Sequence, residues 1–240
     1  MLQLHSVVDV GCGDASWLSV FRRLGVEDVL GIDGEHVDSE LLQIPCQHFQ
    51  AMDLTKPFRI GGAFDLAVSL EVAEHLPANC ALAFVNSLVD LAPLVLFSAA
   101  IPHQGGNNHL NEQWPEEWAA LFETHDYFAV DFVRKRIWHN EAVEWWYAQN
   151  TLLFARSDVL AGNSLLKAEF EATNLNQLSL VHPKQYIHQQ GELAGVLARP
   201  LIPPPSGLKE MSELFWVCMK NAVKKRLGLP VVIPGVRTIK

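Results

Sequence analysis

The chain has 240 residues, 49% hydrophobic and 19% charged, with 18 lysines and arginines against 27 aspartates and glutamates for a formal charge of −9. That length suits one α/β domain, or one domain with a small appendage, and the apolar share excludes a disordered or fibrous chain. The longest apolar run, Leu91 to Ile101, is too short for a membrane helix, no leader pattern opens the chain, and four scattered cysteines (Cys12, Cys46, Cys80, Cys218) read as reduced thiols, so a cytoplasmic protein is expected.

Short β-branched runs alternate with helical patterns over the first 100 residues, as βαβ units do. Ser6–Val10 reads as a buried strand. Residues 15–24 place Trp17, Leu18, Phe21 and Leu24 at helical spacing, with Gly25 as a stop. Strands are predicted at residues 28–32, 48–52 and 64–70. An amphipathic helix follows over residues 79–91, broken by Pro93, and a fifth strand over residues 94–98. Residues 102–111 (PHQGGNNHLN) form a polar loop too long for a plain connector, which marks it as functional. A short helix at residues 114–122 has Pro115 in its first turn. Residues 127–134 and 150–155 read as a closing strand pair around an aromatic-rich insertion. Residues 158–198 are helical, Pro203-Pro204-Pro205 is a stiff linker, and residues 208–227 form an amphipathic tail helix with Met211, Leu214, Phe215, Cys218, Ala222 and Val223 on one stripe. The expected divisions are 1–156, 157–200 and 201–240. No internal repeat is present.

Charge follows the same divisions. Residues 201–240 carry seven basic and two acidic residues, a net +5, which leaves −14 on the first 200. A body so acidic repels phosphates, and no nucleic-acid partner is expected. The basic tail suits contact with an anionic membrane surface or a partner, without insertion; the plainer alternative, a helix docked on the acidic body with its lysines solvated, is preferred.

The chemistry concentrates at the carboxyl ends of the predicted strands, where open α/β sheets bind ligands. Asp9-Val10-Gly11-Cys12-Gly13-Asp14 joins the first strand to the first helix, and its glycines allow a tight turn and close backbone approach. Asp33 ends the second strand twenty residues after Gly13, placed for a ribose diol. Asp53 ends the third, and Ser69-Leu70-Glu71-Val72-Ala73-Glu74-His75-Leu76 ends the fourth. A dinucleotide-binding fingerprint wants a third glycine where this chain has Ser16, which disfavours an NAD-dependent oxidoreductase.

This ordered set, Asp9-x-Gly11-x-Gly13, Asp33, Asp53 and Leu70-Glu71-x-x-Glu74-His75, resembles that of class I S-adenosylmethionine-dependent methyltransferases, in the small-molecule branch whose fourth motif reads Leu-Glu-x-x-Glu-His. The resemblance implies an α/β, Rossmann-like sheet, mostly parallel with one antiparallel closing strand, followed by a C-terminal helical extension. It implies S-adenosylmethionine as cofactor. Asp9, Gly11, Cys12 and Gly13 would border its methionine moiety, Asp33 and Gly34 the ribose, and Met52, Asp53 and Leu54 the adenine. Ser69, Leu70 and Glu71 would form the pocket floor. The segment His109-Leu110-Asn111-Glu112-Gln113-Trp114-Pro115, with Trp138 and Trp145-Trp146-Tyr147-x-x-Asn150, resembles a subset found in sugar- and glycan-related settings. The family's members usually carry some thirty residues before the first strand, forming a lid helix. Here about five precede it, so the lid is expected from C-terminal segments unless the chain is a shortened form.

The function expected is methyl transfer to a small acceptor, first of all a hydroxyl of a sugar or glycan precursor. The competing class is a non-catalytic cofactor-binding or interaction module; the discriminating feature is the loop at residues 102–114 and whether a pocket opens beside residues 69–71. His103 and His109 in that loop are the candidate bases, histidine titrating near neutrality. Proximity alone can also suffice, since the sulfonium is already an activated donor. Glu71, Glu74 and His75 have two readings. They could gather a divalent metal, as in one RNA 2′-O-methyltransferase group, with His109 or His125 as the second histidine. Preferred is the reading in which no metal binds, Glu71 lines the pocket, and Glu74 and His75 cap the following loop. Trp114, Trp118, Trp138, Trp145 and Trp146 offer an acceptor platform or, for Trp118 above all, a packed roof over the sheet.

Overall fold

The computed structural model describes residues 3–197 and 208–226, which divide into one compact unit up to Gln190 and a second from Gly191 onward. The first unit is built on a seven-stranded sheet. Its strands are β1 (Ser6–Val10), β2 (Asp28–Asp33), β3 (Phe49–Ala51), β4 (Leu66–Leu70), β5 (Leu94–Ser98), β6 (Tyr127–Val130) and β7 (Leu152–Arg156). They lie in the order β3-β2-β1-β4-β5-β7-β6, and only β7 runs antiparallel to its neighbours. This is the mostly parallel sheet with one antiparallel closing strand that the resemblance implied.

The near-continuous apolar runs of β1, β4 and β5 have a plain cause. A sheet covered by helices on both faces buries both sets of alternating side chains. Val7 and Val8 are adjacent in β1 and point into separate apolar clusters. On one face, helices α2 (Ala81–Leu91) and α3 (Pro115–Glu123) pack Phe84, Leu88, Trp118 and Phe122 against Val8, Val95, Phe97 and Phe154. Phe122 stacks on Phe154 with centroids 3.9 Å apart and planes within 11°. On the other, α1 (Ser16–Arg23) contributes Leu18, while α6 (Ser157–Gly162) and α7 (Ser164–Glu171) contribute Leu160 and Leu166.

One expected strand changes markedly in length. The strand predicted over residues 127–134 stops at Val130, and α4 (Val133–Ile137) begins almost at once. The buried Arg134 forces this turn: it donates to both carboxylate oxygens of Asp131 at 2.9 and 2.7 Å, and to the carbonyls of Gln149 and Leu178. A buried guanidinium must be fully partnered, and a continuing strand could not gather those four acceptors. The insertion between the closing strands is α4 followed by α5 (Trp145–Asn150). Helix α8 (Pro183–Leu197) crosses the boundary between the units, and α9 (Leu208–Arg226) belongs to the second. On α9, Phe215, Cys218, Ala222 and Val223 of the expected stripe are exposed, as are Trp216 and Met219. The triple-proline linker lies outside the described residues. Among the described residues, no helix is long and apolar enough to cross a membrane.

Candidate functional site

A cleft of about 380 Å³ opens at the carboxyl ends of β1, β2, β3 and β4, a volume suited to a small ligand. It is lined by Gly11, Asp33, Gly34, Met52, Asp53, Leu54 and Glu71, all singled out from the sequence, and by His36, Thr55, Val72, His75 and Leu76, which were not assigned to the cofactor. A roomier cleft of about 740 Å³ between α4 and α7 is lined by Phe132, Leu165, Leu166 and Ala168 among others. It gathers none of the strand-end acids.

The glycine turn is shaped by contact as well as by conformation. Gly11 has φ +83°, and a Cβ placed there would lie 2.3 Å from Cγ2 of Val72. Gly13 also has a left-handed φ, +52°, but faces open space. Asp33 ties the turn to the next strand: its Oδ2 accepts from the Gly13 amide at 2.8 Å and its Oδ1 from the Gly34 amide at 2.7 Å. Carboxylate oxygens keep further lone pairs, so these bonds fix the side chain without exhausting it. Asp9 lies beneath the turn, 2% exposed, with Oδ2 unpartnered. Burial, and secondarily the charge of Asp33, push its carboxyl up to about 8. Burial also raises the neighbouring Cys12 thiol, which excludes a reactive thiolate there.

At the third strand end, Asp53 faces two claims. It lines the cleft, yet its Oδ1 accepts from the Thr55 amide and hydroxyl, at 3.0 and 2.6 Å, and its Oδ2 lies 2.9 Å from Nζ of Lys56. These partners, with the Thr55 hydroxyl first, hold its carboxyl down at about 2. Asp53 therefore stays ionised and caps its own turn while presenting an edge to the cleft.

The fourth strand end carries a strained residue. Glu71 has φ +56°, uncommon for a side chain other than glycine. Its amide donates to the carbonyl and the hydroxyl of Ser98, both at 3.0 Å, which binds the turn to β5. Its carboxylate accepts from Nε2 of Gln104 at 3.2 Å and from Nδ2 of Asn150 at 3.1 Å. Asn150 and Gln149 also donate to Oε1 of Gln104, closing a buried amide network around that carboxylate. Gln104 sits in the polar loop and Asn150 in the loosely matching aromatic segment; their convergence on Glu71 is a tertiary fact that spacing along the chain does not encode.

The candidate bases separate. His103 is exposed, in a left-handed turn, and is not brought to the cleft; its amide donates to Glu112 and its carbonyl accepts from Gln189. His109 is half-buried, pairs through Nδ1 with Glu112 Oε1 at 2.8 Å, and packs edge to face on His75 with centroids 4.9 Å apart. Glu74 departs from the capping role expected of it. Its backbone carbonyl accepts from the amides of Leu110 and Asn111 and anchors the loop, while both oxygens of its buried carboxyl lack a well-formed hydrogen bond. Burial first, then the charge of Glu71, push that carboxyl up to about 8, against the pull of the nearby Glu74 and Ala100 amides. A carboxylate oxygen of Glu74 and a ring nitrogen each of His75 and His109 lie within 4.8 Å of one another. His125 is elsewhere, bonded to Asn86.

Ser69 is fully buried in β4 and Leu70 half-buried beside it, supporting the floor from beneath. The tryptophans do not form one platform. Trp118 is core, packed on Phe97; Trp138 packs on His182; Trp145 and Trp146 meet edge to face on α5, next to Tyr147, which contacts Trp17.

A sequence profile described as a methyltransferase domain matches residues 3–176. No match is found among curated proteins. Among solved structures, the chain is similar to the magnesium protoporphyrin IX methyltransferase of Synechocystis PCC 6803 with bound S-adenosylhomocysteine, at 19% identity and TM-score 0.50, over 63% of this chain and 74% of that one. It is also similar to the small RNA methyltransferase HEN1, at 18% identity and TM-score 0.49, over 65% and 23%. Streptomyces venezuelae DesVI aligns at 14% identity and TM-score 0.48, over 65% and 85%. At these identities the likeness is one of fold.

Proposed function

Because the chain belongs to the methyltransferase-domain family, we propose that its strand-end cleft binds S-adenosylmethionine and delivers the sulfonium methyl group to a hydroxyl of a small acceptor, of the sugar or glycan-precursor class. The observation that carries this reading is the charge of the lining: Asp33, Asp53 and Glu71 with no lysine or arginine among them. Such a wall attracts a ligand bearing an ammonium and a sulfonium, and repels a pyrophosphate. Asp33, fixed by the Gly13 and Gly34 amides, is the ribose acceptor, and Met52, Asp53 and Leu54 flank the adenine. Asp9, Gly11, Cys12 and Gly13 border the methionine end, over a floor of Ser69, Leu70 and Glu71.

Beyond the donor, the Glu71 carboxylate, which lines the cleft and is held in place by Gln104 and Asn150 behind it, offers an acceptor for a hydroxyl of the second substrate. Transfer is an in-line displacement: the acceptor oxygen forms the O–CH₃ bond as the S–CH₃ bond breaks and its electron pair returns to sulfur, while the hydroxyl proton leaves to solvent. Holding the two substrates in line supplies much of the acceleration. The loop at residues 102–114 favours an enzyme over a passive binding module. It is tied down by Glu74 and Glu112, and the cleft opens beside Glu71.

Thermal denaturation tests the cofactor. S-adenosylhomocysteine should raise Tm by several degrees at saturating concentration, NAD should not, and Asp33→Ala should remove most of the shift. A folded wild-type sample with no shift would sink the assignment.

A further inference from the structure

Helix α9 takes no part in the scheme above, yet its surface is ordered in a way that a solvated appendage does not need. Phe215, Met219 and Val223 stand at i, i+4 and i+8, one stripe along the helix, and all three are exposed, Phe215 by 61%. The adjoining row is headed by Trp216, 63% exposed, and continues with Lys220 and Lys224 at the same spacing. Cys218, Ala222 and Arg226 form the row on the other flank. Charge is segregated along the helix as well. Its two acids, Glu210 and Glu213, fall in the first turns, whereas residues 214–226 carry four bases and no acid.

An apolar stripe edged by cations fits a surface that is negative outside and apolar just beneath. An acidic protein face would meet the lysines and leave the stripe in water. The apolar cleft of about 740 Å³ on the first unit has the opposite defect: its charged residues, Arg136 and Glu169, pair with each other at 2.7 Å, so it offers a basic helix no negative rim. An anionic bilayer meets both demands at once. Lipid phosphates take the lysines, whose aliphatic stems can lie along apolar surface, and the acyl boundary takes the stripe. Tryptophan favours the border between those two layers, and Trp216 stands between the stripe and the lysines.

We propose that α9 is an interfacial helix that docks the protein on an anionic phospholipid surface. Phe215, Met219 and Val223 enter the boundary between headgroups and acyl chains, and Lys220 and Lys224 contact lipid phosphate. The helix has 19 residues and so lies along the surface for about 28 Å. It does not span: among the described residues, no helix is long and apolar enough to cross a membrane. One such helix with a few bases gives reversible attachment that salt weakens. The inference stands apart from the methyltransferase reading and survives or fails without it.

Co-sedimentation of the full-length protein with sucrose-loaded vesicles tests it. At about 0.1 M salt the protein should pellet with vesicles of phosphatidylcholine and phosphatidylglycerol at roughly 3:1, and stay in solution with phosphatidylcholine alone. Raising the salt to about 0.5 M should release most of it, because screening shortens the reach of the charges. Phe215→Ser with Met219→Ser, and separately Lys220→Glu with Lys224→Glu, should each weaken pelleting about tenfold or more. These side chains are exposed, so Tm and helical circular dichroism should stay at their wild-type values. No pelleting with the anionic vesicles, equal pelleting with both compositions, or unchanged pelleting in both double variants overturns the proposal. So does a stripe variant that lowers Tm in a protein that ignores vesicles, which assigns the stripe to a protein face. A concentration-dependent dimer that ignores vesicles and is abolished by the stripe variant overturns it too, and assigns the stripe to a second copy of the chain.

Discussion

Gly11 and Gly13 share a motif and a left-handed backbone, but their surroundings give them different burdens. An alanine at either position is strained by roughly 1–2 kcal/mol. At Gly11 the new methyl also meets Val72 at 2.3 Å, whereas at Gly13 nothing lies within 4 Å. Overpacking of that kind costs about 1–3 kcal/mol more. Gly11→Ala should therefore lower Tm more than Gly13→Ala, and Val72→Ala in the same chain should restore part of the difference and leave the backbone strain. Equal losses for the two glycine variants would show that Val72 yields freely and that only backbone conformation matters.

At the scale of elements, the site is held together by the short α5 and the loop after β5. Asn150, the last residue of α5, donates to both Glu71 and Gln104, tying the carboxyl end of β4 to the polar loop. Truncating one member of a buried network leaves its partners unsatisfied, at about 1–3 kcal/mol. Asn150→Ala should lower stability by that amount and raise hydrogen exchange of residues 102–112, with β1 and β2 unaffected; uniform deprotection across the sheet would show that the network does not act locally. The same elements mark where sequence was informative. β1 and β5 match their predicted bounds because an unbroken apolar run flanked by turn residues has few other solutions. Gly11 and Asp33 were legible because turn chemistry is local. Glu74 meeting His109, 35 positions on, and Glu71 meeting Asn150, 79 positions on, depend on where β5 and α5 are placed by packing, and no local pattern carries that. Arg134 misled for the same reason: a mostly apolar stretch reads as a strand until its guanidinium has to reach the carbonyls of Gln149 and Leu178, 15 and 44 positions on.

The whole molecule's net charge of −9 conceals acids of opposite behaviour. Asp53 is held ionised down to about pH 2 by Thr55 and Lys56, so its contribution to stability is present above its unfolded value near 3.8 and is lost as pH falls toward 2. Asp9 is the reverse. Its folded value, raised to about 8 by burial and by Asp33, exceeds the unfolded value near 3.8. The folded state then binds the proton that the unfolded state releases, so Asp9 favours folding fully below pH 3.8 and loses that advantage as pH rises toward 8. The slope for one such group is at most about 1.4 kcal/mol per pH unit. Ligand-free protein should accordingly lose Tm between pH 5 and 8, and Asp9→Asn, which carries no proton to lose, should flatten the decline. A cationic cofactor against the same carboxyl offsets the effect by stabilising its ionised form, so saturating S-adenosylmethionine should flatten the wild-type profile too. Parallel profiles for wild type and Asp9→Asn over that range would show that the carboxyl beneath the glycine turn is already ionised in the empty cleft.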